Sequence, residues 1–272
     1  MPKCYAQAMI HLERRFSAPL VNRSHLNEVC RARRAPAIRK ANVHMNDLKV
    51  YHWTGWCGLI GVVLFAVELP LWVLPGSPPP INDAVGHSQF LASIRVIALA
   101  RVLLDMGMYI CLMVFFAGFR YLIVKTRSEY EWVGTLALVA GAVWWAVSLV
   151  ADGLEGGAIL DTVGGKTDPA VVRALVEGTL LIYNGSIAFA VTGLFMAVAG
   201  FAILATNALP RWIGWLAWTS VVCCVAAIPS MYANIVDHTG FYNVAGWGPA
   251  LIANVPPLIW FLASSLSLIR KR

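Results

Sequence analysis

Arg101 and Asp105 stand four residues apart inside a strongly apolar stretch. A charge at the centre of a bilayer costs a few kcal/mol or more, so such residues turn inward and find partners. Counting from an entry near Ser93, Arg101 lies roughly 12 Å deep and Asp105 near the midplane at 1.5 Å per residue. Their spacing puts both on one helix face. Two chemistries fit: a neutralised pair that staples a bundle, or a relay for protons or solute. The spacing predicts the pair, in its structural role.

Further polar residues gather at the same level. Glu68 precedes Pro70; Trp145, Ser148, Asp152 and Glu155 repeat at helical spacing; Glu177 and Asn184 share a face beside Tyr183; Asn254 stands just before Pro256 and Pro257. Asn234, Asp237 and His238 follow another apolar stretch, and Arg95 and Arg101 are the cations nearest this acidic group. Glu68, Arg95, Asp152, Glu155, Glu177, Asn184 and Asn254 form a candidate vestibule open to the outside, if several of them point inward. The plainer reading leaves them as hydrated positions at headgroup level.

Signatures of catalysis are missing. The chain has no His-Glu-x-x-His, no Gly-x-Ser-x-Gly and no phosphate-cradling glycine loop. His87 and His238 lack a metal-ligand spacing, and His52 reads as an interfacial residue beside Trp53. Cys57, Cys111, Cys223 and Cys224 lie in apolar stretches, where a thiol behaves as a small hydrophobe; Cys4 and Cys30 lie near the N-terminus. No metal, cofactor or disulfide framework is expected.

The elements that would hold these side chains follow from composition. Hydrophobic residues make up 59% and charged residues 13%, about half the charge of an ordinary soluble domain. Six apolar stretches meet the roughly 20 residues needed to cross a 30 Å core: about 54–74, 93–118, 132–152, 176–205, 211–232 and 248–268. Lipid offers the backbone no hydrogen bonds, so the spans must be helical, and strands of a barrel would alternate instead. The fold expected is an all-α, six-helix polytopic bundle.

Lys and Arg orient it. Arg120, Lys125 and Arg127 mark the second connection, Arg211 the fourth, and Arg270, Lys271 and Arg272 the C-terminus; connections 75–92 and 233–247 hold none, and the third has Lys166 and Arg173 among Asp161 and Asp168. That bias predicts cytoplasmic termini in a bacterial cytoplasmic membrane. Trp53, Trp56, Trp72, Trp132, Trp212 and Trp247 near span ends match an interfacial belt. Gly55, Gly58 and Gly61 suit close helix packing. Asp168-Pro169 reads as a helix start, and Pro256-Pro257 as a kink or an unwound turn in the last span.

Residues 1–44 carry nine Lys/Arg against Glu13 and Glu28, and thus the whole formal charge of +7. The membrane body is neutral, so a nucleic-acid partner is not expected. Two readings of the arm compete. It is a disordered basic tail on anionic headgroups, at about 1 kcal/mol per cation, or it precedes a start at Met45. Residues 45–272 form the membrane domain in either case.

The Arg-x-x-x-Asp of span two, Leu209-Pro-Arg-Trp-Ile-Gly-Trp leading into span five, and the Pro-containing last span ending in Arg-Lys-Arg resemble uncharacterised bacterial six-helix membrane proteins grouped as a domain of unknown function. The resemblance covers roughly 45–272 and implies fold and location but no activity. The leading expectation is therefore a non-catalytic bundle that packs with lipids or unidentified protein partners. A small-solute or proton-coupled transporter is the first alternative, and a membrane-embedded enzyme the second.

Overall fold

The computed structural model describes residues 23–80, 82–163, 168–183, 186–232, 240–244 and 246–271, with side chains from Asp47 onward except at Ser186. By its contacts the chain divides into Met1–Asp47 and Leu48–Arg272. Of the arm 1–44, expected above to be disordered, residues 23–44 carry helical backbone and residues 1–22 lie outside the described ones.

Seven α-helices are present among the described residues: α1 Arg23–Val73, α2 Ala84–Thr126, α3 Glu131–Asp161, α4 Pro169–Tyr183, α5 Ser186–Thr206, α6 Arg211–Ala227 and α7 Trp247–Ile269. Short 3₁₀ turns at Ser128–Tyr130 and Ile228–Tyr232 complete the order, and there is no strand among the described residues. Six stretches are long and apolar enough to cross a membrane: Asp47–Val73, Ala84–Thr126, Ser128–Asp161, Pro169–Thr206, Arg211–Tyr232 and Trp247–Ile269. The chain is thus an all-α bundle of six apolar spans. Its helices alternate between a basic end, holding Arg120, Arg211 and Arg270, and a far end holding Val73 and Ala84.

The helices overrun the hydropathy windows. At 43 residues α2 is about 65 Å long, twice the thickness of a hydrocarbon core. It starts nine residues before the expected span because Asp83 caps it, its carboxylate accepting the Gly86 N–H at 2.9 Å. The extra turns are not bare. Leu91, Ile94 and Ala98 of α2 pack with Ala158 and Ile159 of α3 and Val172 of α4 in a small core of their own. The span expected over 176–205 is built from two helices, α4 and α5, and Asp168 begins the first of them by accepting the Ala170 N–H.

The main core lies toward the basic end. Phe115, Phe116 and Phe119 of α2 meet Phe195 of α5 and Trp260 and Phe261 of α7; Phe195 and Phe261 stack at 5.9 Å, and Phe115 meets Phe261 at 5.2 Å. Helix α1 closes on this core through its glycines. A Cβ at Gly55 would lie 2.7 Å from Ile269 Cγ1, and one at Gly58 2.6 Å from Phe115. Only the absence of side chains lets the helices approach so closely.

Helix α7 stays helical through Pro256 and Pro257, so the unwound-turn alternative is not adopted. Pro257 has no N–H for the carbonyl of Ala253, four residues earlier. The Cys224 thiol of α6 occupies that place, donating to Ala253 O at 3.7 Å.

Candidate functional site

Four helices bring polar side chains to one buried place on the far-end side of the aromatic core. Helix α1 supplies Glu68 and Trp72; α2 supplies Arg101, Asp105 and Tyr109 at successive four-residue steps; α3 supplies Ser148, Asp152 and Glu155; α4 supplies Thr179 and Tyr183. Glu68, Arg101, Asp105, Asp152 and Glu155 are all buried, none more than 8% exposed. All five are enclosed by the described residues.

The Arg101 guanidinium pairs through Nη2 with Glu155 Oε1 and lies 3.7 Å from the centre of the Trp72 ring. Trp72 Nε1 in turn donates to Glu68 Oε1 at 2.6 Å. The expected Arg101–Asp105 ion pair is not formed among these contacts, and Arg101 crosses to α3 instead. Two facts of helix geometry account for the difference. Side chains lean toward the helix N-terminus, carrying Arg101 away from the residue four positions later. A cation placed before its acidic partner at this spacing is also the weaker of the two orders.

Asp105 faces other acids. Its carboxyl is within hydrogen-bonding reach of Glu68 and of Asp152. Asp152 accepts a hydrogen bond from Tyr183 Oη at Oδ1, whereas no N–H or O–H of the described protein donates to its Oδ2. A carboxylate can only accept, so a hydrogen bond between two carboxyls needs a proton on one of them. Tyr183 Oη and Tyr109 Oη are 3.0 Å apart, and Tyr109 packs on Trp145 with ring centres 4.6 Å apart. A continuous line of exchangeable groups therefore runs Glu68, Asp105, Asp152, Tyr183, Tyr109. It ends against the aromatic core.

Of the candidate vestibule residues, Glu68, Asp152 and Glu155 join this cluster. Arg95 is exposed on α2. Glu177 pairs with Arg173 one turn earlier on α4 at 2.8 Å, outside the cluster. Asn254 is half-buried on α7, with no polar contact to the cluster among the described interactions. Asn184 lies outside the described residues, as do Asn234, Asp237 and His238. His87 is buried with Nδ1 3.2 Å from Pro79 O. No group of His, Cys, Asp and Glu side chains suited to a metal occurs among the described residues, and Cys57, Cys111, Cys223 and Cys224 are free thiols.

Sequence reasoning missed Tyr109 and gave Trp72 an interfacial role only. Tyr109 was within reach of it, because Arg101, Asp105 and Tyr109 form one stripe of α2. Trp72 was not, since its contact with Arg101 depends on how α1 and α2 cross.

The fold and this cluster together define a class: an all-α bundle of six apolar spans with a buried, acid-rich polar centre. Comparison with known protein families, curated proteins and solved structures gave no match to the chain.

Proposed function

We propose that this chain is a proton-coupled membrane transporter for a small solute, with Glu68, Asp105 and Asp152 as its proton carriers. One observation carries the reading. Four buried carboxyls share the site with a single buried guanidinium, which pairs with Glu155, so three of the four lack a cation of their own. A staple needs one acid per base. The surplus acids must instead hold protons or release them against another positive charge. Tyr183 and Tyr109 extend the line for proton movement. The Trp72 ring over Arg101 on one side and the aromatic core on the other enclose the cluster, as a transport site closed between its two openings requires.

The location proposed with this function is a bacterial cytoplasmic membrane with both termini in the cytoplasm. The Lys/Arg-bearing connections at one end and the cation-free 75–92 and 233–247 at the other support that orientation. The resemblance to uncharacterised six-helix proteins noted above fits the location and adds no activity.

The structural reading rests on the buried Arg101–Glu155 pair, although Arg101 Nε finds no acceptor among the described residues. It leaves Glu68, Asp105 and Asp152 without a purpose. A proton count separates the two. Purified protein taken from about pH 10 to about pH 4, which covers the ordinary carboxyl range and the upward tail of buried ones, should take up more protons than the Asp105→Asn/Asp152→Asn variant. Vesicles holding the wild-type chain and a trapped pH dye should then show proton flux with some member of a solute panel. Equal proton uptake by the two proteins would remove the carrier role and return the cluster to a staple.

A further inference from the structure

A cavity of about 590 Å³ opens at the basic end of the bundle, lined by Leu48 and His52 of α1 and by Ile269, Arg270 and Lys271 at the end of α7. It is remote from the carboxyl cluster: Glu68 stands sixteen residues along α1 from His52, about 24 Å of helix. Its walls are fixed by close packing, since Ile269 lies against Gly55 and His52 Nε2 sits 3.2 Å from Lys271 O.

The lining is cationic at one face and apolar at the other. Arg270 is exposed. Lys271 is half-buried, its Nζ donating to Ala208 O at 3.2 Å and lying 4.7 Å from the Tyr51 ring centre. None of the ion pairs among the described residues involves either cation. Burial lowers the pKa of the Lys271 amine, a cost that an incoming anion would offset. Leu48 and Ile269 supply apolar wall, and Trp53 and Trp56 stand exposed on α1 beside His52, at the level where tryptophans meet headgroups. The volume suits a small ligand.

We propose that this cavity binds a phosphate group, held by Arg270 and Lys271, with His52 at its rim. Planar donors on Arg270 and the compact charge of Lys271 both suit phosphate oxygens. The phosphate is carried by an anionic phospholipid or arrives free in solution, and the two sources separate by experiment. The site is a built cavity of the bundle, distinct from the diffuse attraction expected of the basic arm, and it does not depend on the transport reading.

The full chain is placed in nanodiscs of phosphatidylcholine with increasing phosphatidylglycerol, and bound lipid is counted by native mass spectrometry after delipidation. The wild type should retain phosphatidylglycerol over phosphatidylcholine. Arg270→Gln/Lys271→Gln should lose roughly tenfold or more of that preference, while Arg127→Gln, an exposed cation at the same end, should keep it. Inorganic phosphate that displaces the lipid and by itself raises the melting temperature of the wild type, and not of the double variant, would assign the site to free phosphate. Equal retention of the two lipids by the wild type together with no effect of phosphate, or equal losses in the Arg127 and Arg270/Lys271 variants, would overturn the proposal. The wild-type comparison stands even if the double variant fails to fold.

Discussion

Replacing Arg101 by Gln tests the arrangement of the cluster most directly. The guanidinium side chain is 5% exposed and its Glu155 partner 11%. Removing one member of a buried pair costs about 3–5 kcal/mol, and loss of the desolvated contact with Trp72 adds about 2 kcal/mol. Glu155→Gln should be milder. Arg101 keeps Trp72 and has Glu68 and Asp152 near enough for either to supply a carboxylate in place of Glu155, so the loss falls to that of a charged hydrogen bond, about 1.5–3 kcal/mol. Arg101→Gln should therefore destabilise more than Glu155→Gln, and the double variant should lose less than the sum by about 0.5–3 kcal/mol. Arg101→Gln with Asp105→Asn should come closer to additivity. Unfolding of purified protein in mixed detergent, followed by tryptophan fluorescence and by a thermal melt, measures these four variants together with Asp105→Asn alone, which the second cycle needs. A coupling of Arg101 to Asp105 larger than that to Glu155 would refute the crossing of Arg101 to α3. Equal losses in the two single variants would refute the claim that neighbouring acids stand in for Glu155.

Other consequences can be checked on the same protein. Gly118→Ala should destabilise by about 1–3 kcal/mol, since the new methyl would lie 2.7 Å from both Cβ and Cγ2 of Thr54; an unchanged melt would mean that α1 and α2 are not in contact there. Cys224→Ala should cost about 1 kcal/mol by leaving Ala253 O without a donor, and no change would show that the thiol does not cap it. Burial lowers the Lys271 pKa, so the folded chain binds fewer protons than the unfolded chain between that value and the ordinary one of about 10.4. The stability gap between wild type and Lys271→Met should hence move in the wild type's favour as pH rises through that interval, which melts at stepped pH in zwitterionic detergent would read; a flat difference contradicts the burial. Single cysteines at Ser77 and Thr162 in a cysteine-free chain should react with an impermeant reagent from outside, and one at Arg127 should be protected. The reverse pattern would invert the topology.

The membrane spans were legible because hydropathy and helix length answer to the same hydrocarbon thickness. Their ends were not, because helices α2 and α3 continue past the hydropathy windows where Leu91, Ile94 and Ile159 find one another. Hydropathy reports what lipid tolerates rather than where hydrogen bonds stop. The acids of the cluster were legible as faces: Asp152 and Glu155 on one stripe, Arg101 and Asp105 on another. Which acid meets which base was not, since it depends on side-chain lean and on the crossing of separate helices. Tyr109 shows the middle case, visible as a third member of the α2 stripe yet carrying no charge to draw notice.

Asp105 has twenty-one residues of α2 on either side of it, from Ala84 to Thr126. The acid-rich centre thus sits at the midpoint of α2, with about 31 Å of helix on either side. One arm is clasped by α3 and α4 at the far end; the other carries the phenylalanines of the core and finishes at the basic end. A tilt of about 5° at Asp105 would swing the two tips roughly 3 Å in opposite directions. On the proposed transport reading, a proton gained or lost at Asp105 acts at the midpoint of both arms, so its effect reaches the two ends of α2 with equal leverage.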